Sequence, residues 1–332
     1  MQSTLKCCVS FFFSAIAVLS ATLQVRKATR YPAMRRRSAA TPVGLGAAWP
    51  ARYLGLRNLF IHSKKPASSV AERAPTAMTF ADWAAYFRAN QSHLAELSWD
   101  DTYRLTDRER RAAGRSLQHF QRGESSEGHH LYHHAQASHD ADYLAAMRLF
   151  IAEEQGHAQV LGRFLDAQGL PRLRSCFTDN VFRGLRRLSG WEHTIRLLLT
   201  AEIIAAVYYR ALYYATYSGL LQQICLRILR DEQQHIAFQC STLRHLRPRR
   251  SALGWWLSQQ LHRGLMIGAT VVVWLCYNRT LWAGGMGPVG FAASVAREWE
   301  RAQELLRAPA AALPGAQGGV AHLGTANLSA LG

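Results

Sequence analysis

Two runs of residues could do metal chemistry: Ala152-Glu153-Glu154-Gln155-Gly156-His157 and, seventy-eight positions later, Arg230-Asp231-Glu232-Gln233-Gln234-His235. Each holds Glu-x-x-His, and three residues of helix turn through about 300°, so carboxylate and imidazole share one face. Two such faces meeting inside a bundle offer hard oxygen and borderline nitrogen donors to a pair of iron or manganese ions. Glu-x-x-His alone is a weak signal, and a third match, Glu127-x-x-His130, reads as accidental. The other two are set apart by a carboxylate thirty residues before each: Glu124 before Glu154, and Glu202 before Glu232. The duplicated pattern supplies one Glu from each of two helices and Glu-x-x-His from each of two more.

Positioning these groups requires two helical hairpins. The midpoint of 124 and 154 is His139, within the polar run Gln136–Asp140, and the midpoint of 202 and 232 is Tyr217, just before Ser218-Gly219. Equal arms rising about 1.5 Å per residue bring each Glu back level with its partner. Thr106-Asp107-Arg108-Glu109 is a capping box that opens a first helix over roughly 107–136, with Leu117, Phe120, Glu124 and Leu131 on its inward stripe. A second helix, about 140–168, aligns Met147, Phe150, Glu154, His157, Leu161 and Leu165 and stops at Gly169-Leu170-Pro171. Residues 169–189 suit a long crossover. Ser189-Gly190-Trp191-Glu192 reads as a second capping box, opening a third helix to about 217 with Glu202 on its inward face. A fourth, about 219–246, aligns Cys225, Ile228, Glu232, His235 and Gln239. A fifth covers 251–278 and is uncharged from Gly264 to Asn278, short for the roughly twenty residues of a bilayer span. It reads as covering the bundle or lying on a membrane. Gly284–Pro288 ends it, and a last amphipathic helix runs to Arg307. The expected fold class is all-α: a four-helix bundle with a long crossover and additional C-terminal helices.

The net charge of +17 is unevenly placed. Residues 1–77 carry twelve Lys or Arg against one acid, Glu72, and all four lysines (Lys6, Lys27, Lys64, Lys65). The rest has 27 Arg against 21 acids, an ordinary surface, which argues against nucleic-acid binding by the core. Residues 1–77 therefore read as a basic leader, disordered or an over-extended start with Met78 opening the domain. Within it, the uncharged stretch 7–25 could be a signal or an anchor, although the arginines that follow oppose export. The domain proper is 78–307, and the Ala/Gly-rich tail 308–332 is expected to be disordered. The six cysteines include no Cys-x-x-Cys pair, which disfavours a disulfide framework, a zinc ribbon or a rubredoxin-type iron site and suits a cytoplasmic setting, with or without membrane association.

Over roughly 106–246 these residues resemble the ferritin-like superfamily of di-iron carboxylate proteins. Gly123-Glu124-Ser125-Ser126, followed by Tyr132 and Ala135, is similar to the first-helix motif of rubrerythrins. Glu153-Glu154-x-x-His157 and Asp231-Glu232-x-x-His235 resemble the motif pair of acyl-carrier-protein desaturases. The resemblance implies iron ligation by Glu124, Glu154, His157, Glu202, Glu232 and His235. It also implies an outer role for Asp231, accepting a hydrogen bond from a ligand imidazole. The chain departs from rubrerythrins in lacking a Cys-rich electron-transfer module, and its Glu-to-Glu spacing is tighter.

The leading functional expectation is a di-iron oxidoreductase (manganese–iron being the alternative pair) that activates oxygen to oxidise an apolar organic substrate, with electrons from a separate donor. A ferroxidase or peroxide scavenger of the rubrerythrin kind is the alternative. A non-catalytic, membrane-peripheral bundle with a structural metal is a third, contacting the membrane through 264–278; a homodimer is a further candidate assembly. Glu127 reads as surface or rim, and the histidines from His129 to His139 as a solvated face. Tyr208-Tyr209 and Tyr213-Tyr214 read as core packing with satisfied hydroxyls. Trp255-Trp256 either wall a substrate channel or cover the bundle.

Overall fold

The computed structural model describes residues 78–125, 128–174, 190–249 and 251–308. The leader, its 7–25 stretch, the tail beyond 308, Glu127 and most of the crossover lie outside the described residues. Among these residues all regular structure is helical, with no strand. The order is α1 (Phe80–Asn90), a 3₁₀ turn (His93–Glu96), α2, α3 (His129–Gln136), α4 (Ala141–Ala167), α5 (Trp191–Ala215), α6 (Gly219–Leu246), α7 (Ala252–Ala283) and α8 (Pro288–Arg307). Helix α2 is built from Asp107–Glu109, a wider π turn at Arg110–Gly114 and Arg115–Glu124.

Helix α5 is the axis of the packing. It lies against α6, α7 and α8, while α1 and α2 pack on α4, and α4 reaches α6. Eighteen of its 25 residues are buried, as expected of a helix apolar on nearly every side. Its charged groups therefore need partners. Glu192 and Arg196 pair at 3.0 Å while almost fully buried, and Arg210 pairs with Glu298 at 2.8 Å. Ser258 donates to Glu192 at 2.5 Å and Arg196 donates to Gln259, which ties α7 onto α5 through a polar seam. Glu202 is the exception: it has no cationic partner of this kind and faces the carboxylate cluster described below.

Several expected boundaries hold. Thr106 caps α2 reciprocally with Glu109, α4 begins where Asp140 accepts from Tyr143 N, and α6 spans Gly219–Leu246. Both hairpin turns fall at the midpoints. His139 adopts φ 57° between α3 and α4, and Tyr217 stands 75% exposed between α5 and α6.

Other expectations are corrected. The single helix over 107–136 is broken after Glu124 and restarts at His129, because Gly128 takes φ 68° and a Cβ there would lie 2.6 Å from Ile151 Cγ2. The capping box at Ser189 is replaced by Gly190 as N-cap, without a side-chain bond; Glu192 is occupied by Arg196 and Ser258. The fifth helix continues five residues past 278 to Ala283, bending at Tyr277 (φ −126°, ψ 17°). Helix α1, with its own Thr79–Asp82 capping box, is an element the sequence reading did not place.

Candidate metal centre

The structure brings all six expected side chains together from four helices: Glu124 at the end of α2, Glu154 and His157 on α4, Glu202 on α5, and Glu232 and His235 on α6. They fall into two overlapping groups. Donor atoms of Glu124, Glu154, His157 and Glu232 lie within 4.8 Å of one another, as do those of Glu154, Glu202, Glu232 and His235. Glu154 and Glu232 belong to both. The remaining four divide evenly, one Glu and one His to each side.

The imidazoles are oriented by crossed ties. His157 on α4 directs Nε2 at Asp231 Oδ2 of α6 (3.0 Å), and His235 on α6 directs Nε2 at Glu153 Oε2 of α4 (2.8 Å). A carboxylate only accepts, so each Nε2 carries a proton, and Nδ1 is the ring atom that faces the cluster, available as a donor to a metal once it gives up its own proton. Each motif thus orients the other's histidine through the residue immediately before its Glu. Asn90 of α1 donates to both outer carboxylates, at 2.5 Å to Glu153 and 3.0 Å to Asp231. His93 approaches Asp231 at 2.7 Å through Nε2 and the carbonyl of Asn90 at 2.5 Å through Nδ1.

Inside this frame five polar atoms lack hydrogen-bond partners. Glu154 Oε1, His157 Nδ1, both oxygens of Glu232 and His235 Nδ1 are buried without one. Glu154 Oε1 and His235 Nδ1 stand 2.9 Å apart, but not at a hydrogen-bonding angle. An unsatisfied buried polar group costs about 1–3 kcal/mol, so such a concentration is unstable unless something fills it. Carboxylate oxygens and imidazole nitrogens aimed at one space, with four carboxylates to neutralise, fit two divalent cations.

The electrostatics say the same. Burial, then the adjacent Glu154, pushes the Glu124 carboxyl well above its usual range. Burial, then Glu202, does so for Glu232. Burial would raise Glu154 too, but His235 and His157 hold it at about 2. Asp231, against the same burial cost, is kept below its ordinary range by His157 and His93. Like charges crowded together cannot all ionise without cations.

Aromatic rings close one side. Phe150 meets His235 edge-on at 4.7 Å, and Phe87 and Phe238 pack around it. On another side Tyr209 donates to Glu124 at 2.7 Å, so its hydroxyl is satisfied as expected, but by a residue of the cluster. Glu154 is the most exposed of the six, at 18%. His129, His133, His134 and His139 join no such cluster among the described residues. Trp256 points outward at 56% exposed, and Trp255 lies under Arg196 at 4.6 Å. Neither sits on the wall formed by Phe87, Phe150 and Phe238.

Sequence reasoning gave Glu153, Asn90, His93 and the Tyr209 hydroxyl no part in the site. For Glu153 the signal was present: it occupies in the first motif the position Asp231 occupies in the second. The chain matches no family model, no curated protein and no solved structure, so the reading of this site rests on the geometry of its own side chains.

Proposed function

We propose that α2, α4, α5 and α6 form a ferritin-like four-helix bundle whose centre holds two iron ions, or a manganese–iron pair, in a non-haem oxidoreductase. The observation carrying this reading is the set of buried, unpartnered donor atoms from Glu154, His157, Glu232 and His235, framed by crossed imidazole–carboxylate ties. Cations bound there supply redox capacity and Lewis acidity toward dioxygen or peroxide. The chain's own residues do the rest. Glu124, Glu154, His157, Glu202, Glu232 and His235 would hold the ions, and Glu153 and Asp231 orient the two imidazoles toward them. Phe87, Phe150 and Phe238 keep water from one side of the site, and Tyr209 fixes Glu124 through its hydroxyl.

The aromatic wall favours an apolar organic substrate, with electrons delivered by a separate protein. Cys225, Cys240 and Cys276, the cysteines among the described residues, form no disulfide. A second reading, a ferroxidase or peroxide scavenger, is favoured by the depth of the cluster, which iron or peroxide reaches more readily than a bulky molecule. The test is to load the protein with ferrous iron and mix it with peroxide in the absence of organic substrate. Slow, single oxidation supports the first reading, and rapid repeated turnover the second. Unfolding on chelation with no redox-linked optical change would sink both in favour of a structural metal.

A further inference from the structure

From residue 233 to 297 the chain has no Asp or Glu but seven Arg: Arg244, Arg247, Arg249, Arg250, Arg263, Arg279 and Arg297. This stretch includes all of α7, whose outward face is apolar. Leu253, Leu257 and Leu261 follow one another at i+4 and are 66%, 49% and 64% exposed. Trp256 stands beside them, and Leu275 and Trp282, both 60% exposed, form a second patch, set apart from the first by 264–274, where no residue is exposed and Gly268 is buried. At 1.5 Å per residue the first patch, Leu253 to Leu261, runs roughly 12 Å. The opposite face carries Met266, Ala269, Val273 and Leu281, buried in the core, with His262 in the polar seam to α5. Only one face of α7 therefore lacks a partner.

Beside the first patch is a cleft of about 250 Å³. It is lined by Arg247, Arg263 and Arg307 together with Trp255, Trp299 and Gln303. Among the described residues none of the three arginines has a carboxylate partner, and Gln303 Nε2 is a buried donor with no acceptor. Three cations and a free amide donor call for an anion rich in acceptor oxygens, and a second α7, which has no acid, does not bring one.

We propose that this face docks on an anionic lipid bilayer, with α7 lying in the interfacial plane. Leu253, Trp256, Leu257 and Leu261 enter the acyl boundary, and a lipid phosphate sits in the cleft between Arg247, Arg263 and Arg307. An apolar patch flanked by arginines and tryptophans is the pattern of an interfacial helix. The inference is independent of what the metal centre does.

The experiment uses the full chain with vesicles of phosphatidylcholine and phosphatidylglycerol in equal parts, and of phosphatidylcholine alone. Because residues 1–77 are themselves basic, wild type is compared with variants that retain them. R247Q/R263Q/R307Q is expected to weaken binding to the anionic vesicles by on the order of 100-fold. L253Q/W256Q/L261Q is expected to weaken it comparably. All six positions are exposed, so both variants should keep the wild-type helical circular dichroism; the single changes R263Q and W256F serve if either does not. Brominated acyl chains should quench part of the tryptophan emission, and W256F should reduce that part, leaving what Trp282 contributes. Three results overturn the proposal: vesicle binding unchanged in both triple variants; quenching identical in W256F; or L253Q/W256Q/L261Q dissociating a dimer while vesicle binding persists, which would give the face to a second copy. Saturation of the cleft by inorganic phosphate without any vesicle binding would likewise overturn it, in favour of a free anion.

Discussion

At the scale of single residues, the site depends on carboxylates doing opposite jobs. Glu154 and Glu232 offer bare oxygens to the centre, while Glu153 and Asp231, one residue earlier in each motif, spend theirs on the imidazoles of the opposite helix. Removing an outer carboxylate should loosen a ligating ring without deleting it. Glu153→Gln and Asp231→Asn are each expected to lower metal affinity about 10- to 100-fold while still filling at saturating metal, as read by competition with a chelator. Unchanged affinity in both would show that the ties are incidental. The metal-free protein should also be pH-sensitive in a defined sense. Glu124 and Glu232 keep protons in the folded state where the unfolded chain has released them near 4.5. That contribution to stability is complete below 4.5 and is lost as pH rises through their elevated values. His235, raised mainly by Glu154 against its own burial, loses its contribution in the same direction. Glu154, held at about 2, opposes them only when pH falls below 4.5. The melting temperature of metal-free protein should therefore fall between about pH 5.5 and pH 8, while the increment from added metal grows over that range. A flat or rising profile without metal would contradict this. The six inward residues were legible because helix geometry fixes a spacing of three. His93 and Asn90 were not, because their relation to Asp231 spans about 140 residues and depends on how α1 packs.

At the scale of elements, the break before α3 matters most. The apolar stripe from Leu117 to Leu131 reads as one helix, and periodicity on both sides of Gly128 hides the interruption. What breaks it is tertiary: Ile151 of α4 occupies the space a side chain at 128 would need. Gly128→Ala should destabilise the protein by about 1–3 kcal/mol, combining left-handed strain with overpacking, measurable by denaturant titration. A neutral result would mean the segment is free to rearrange. A similar close approach fixes the α7–α8 turn, where a Cβ on Gly284 would fall 2.2 Å from Ala211 O of α5. The π turn in α2 was equally illegible, since it adds no distinctive residue. Its carbonyl at Ala112 accepts from Thr280 of α7, and Ser116 just beyond it meets both Thr280 and Tyr208.

At the scale of the whole molecule, the helical fold and the convergence of α2, α4, α5 and α6 followed from a duplicated motif, whereas α1 and the polar seam between α5 and α7 had no comparable sequence signal. The six central side chains come from four separate helices, so filling the centre should stiffen the entire fold. Saturating metal at about 100 times its dissociation constant should stabilise the protein by about 2.7 kcal/mol per ion bound, reversed by chelation. No thermal shift with any of iron, manganese or zinc would leave the cluster without a ligand. The sharing of Glu154 and Glu232 between both groups makes the most direct test one of metal content. Iron-loaded protein should carry two ions per chain; Glu154→Ala and Glu232→Ala should each lose both, while His157→Ala and His235→Ala should each lose one. Wild-type protein that retains no metal, or Glu154→Ala and Glu232→Ala chains that still bind two, would contradict the account.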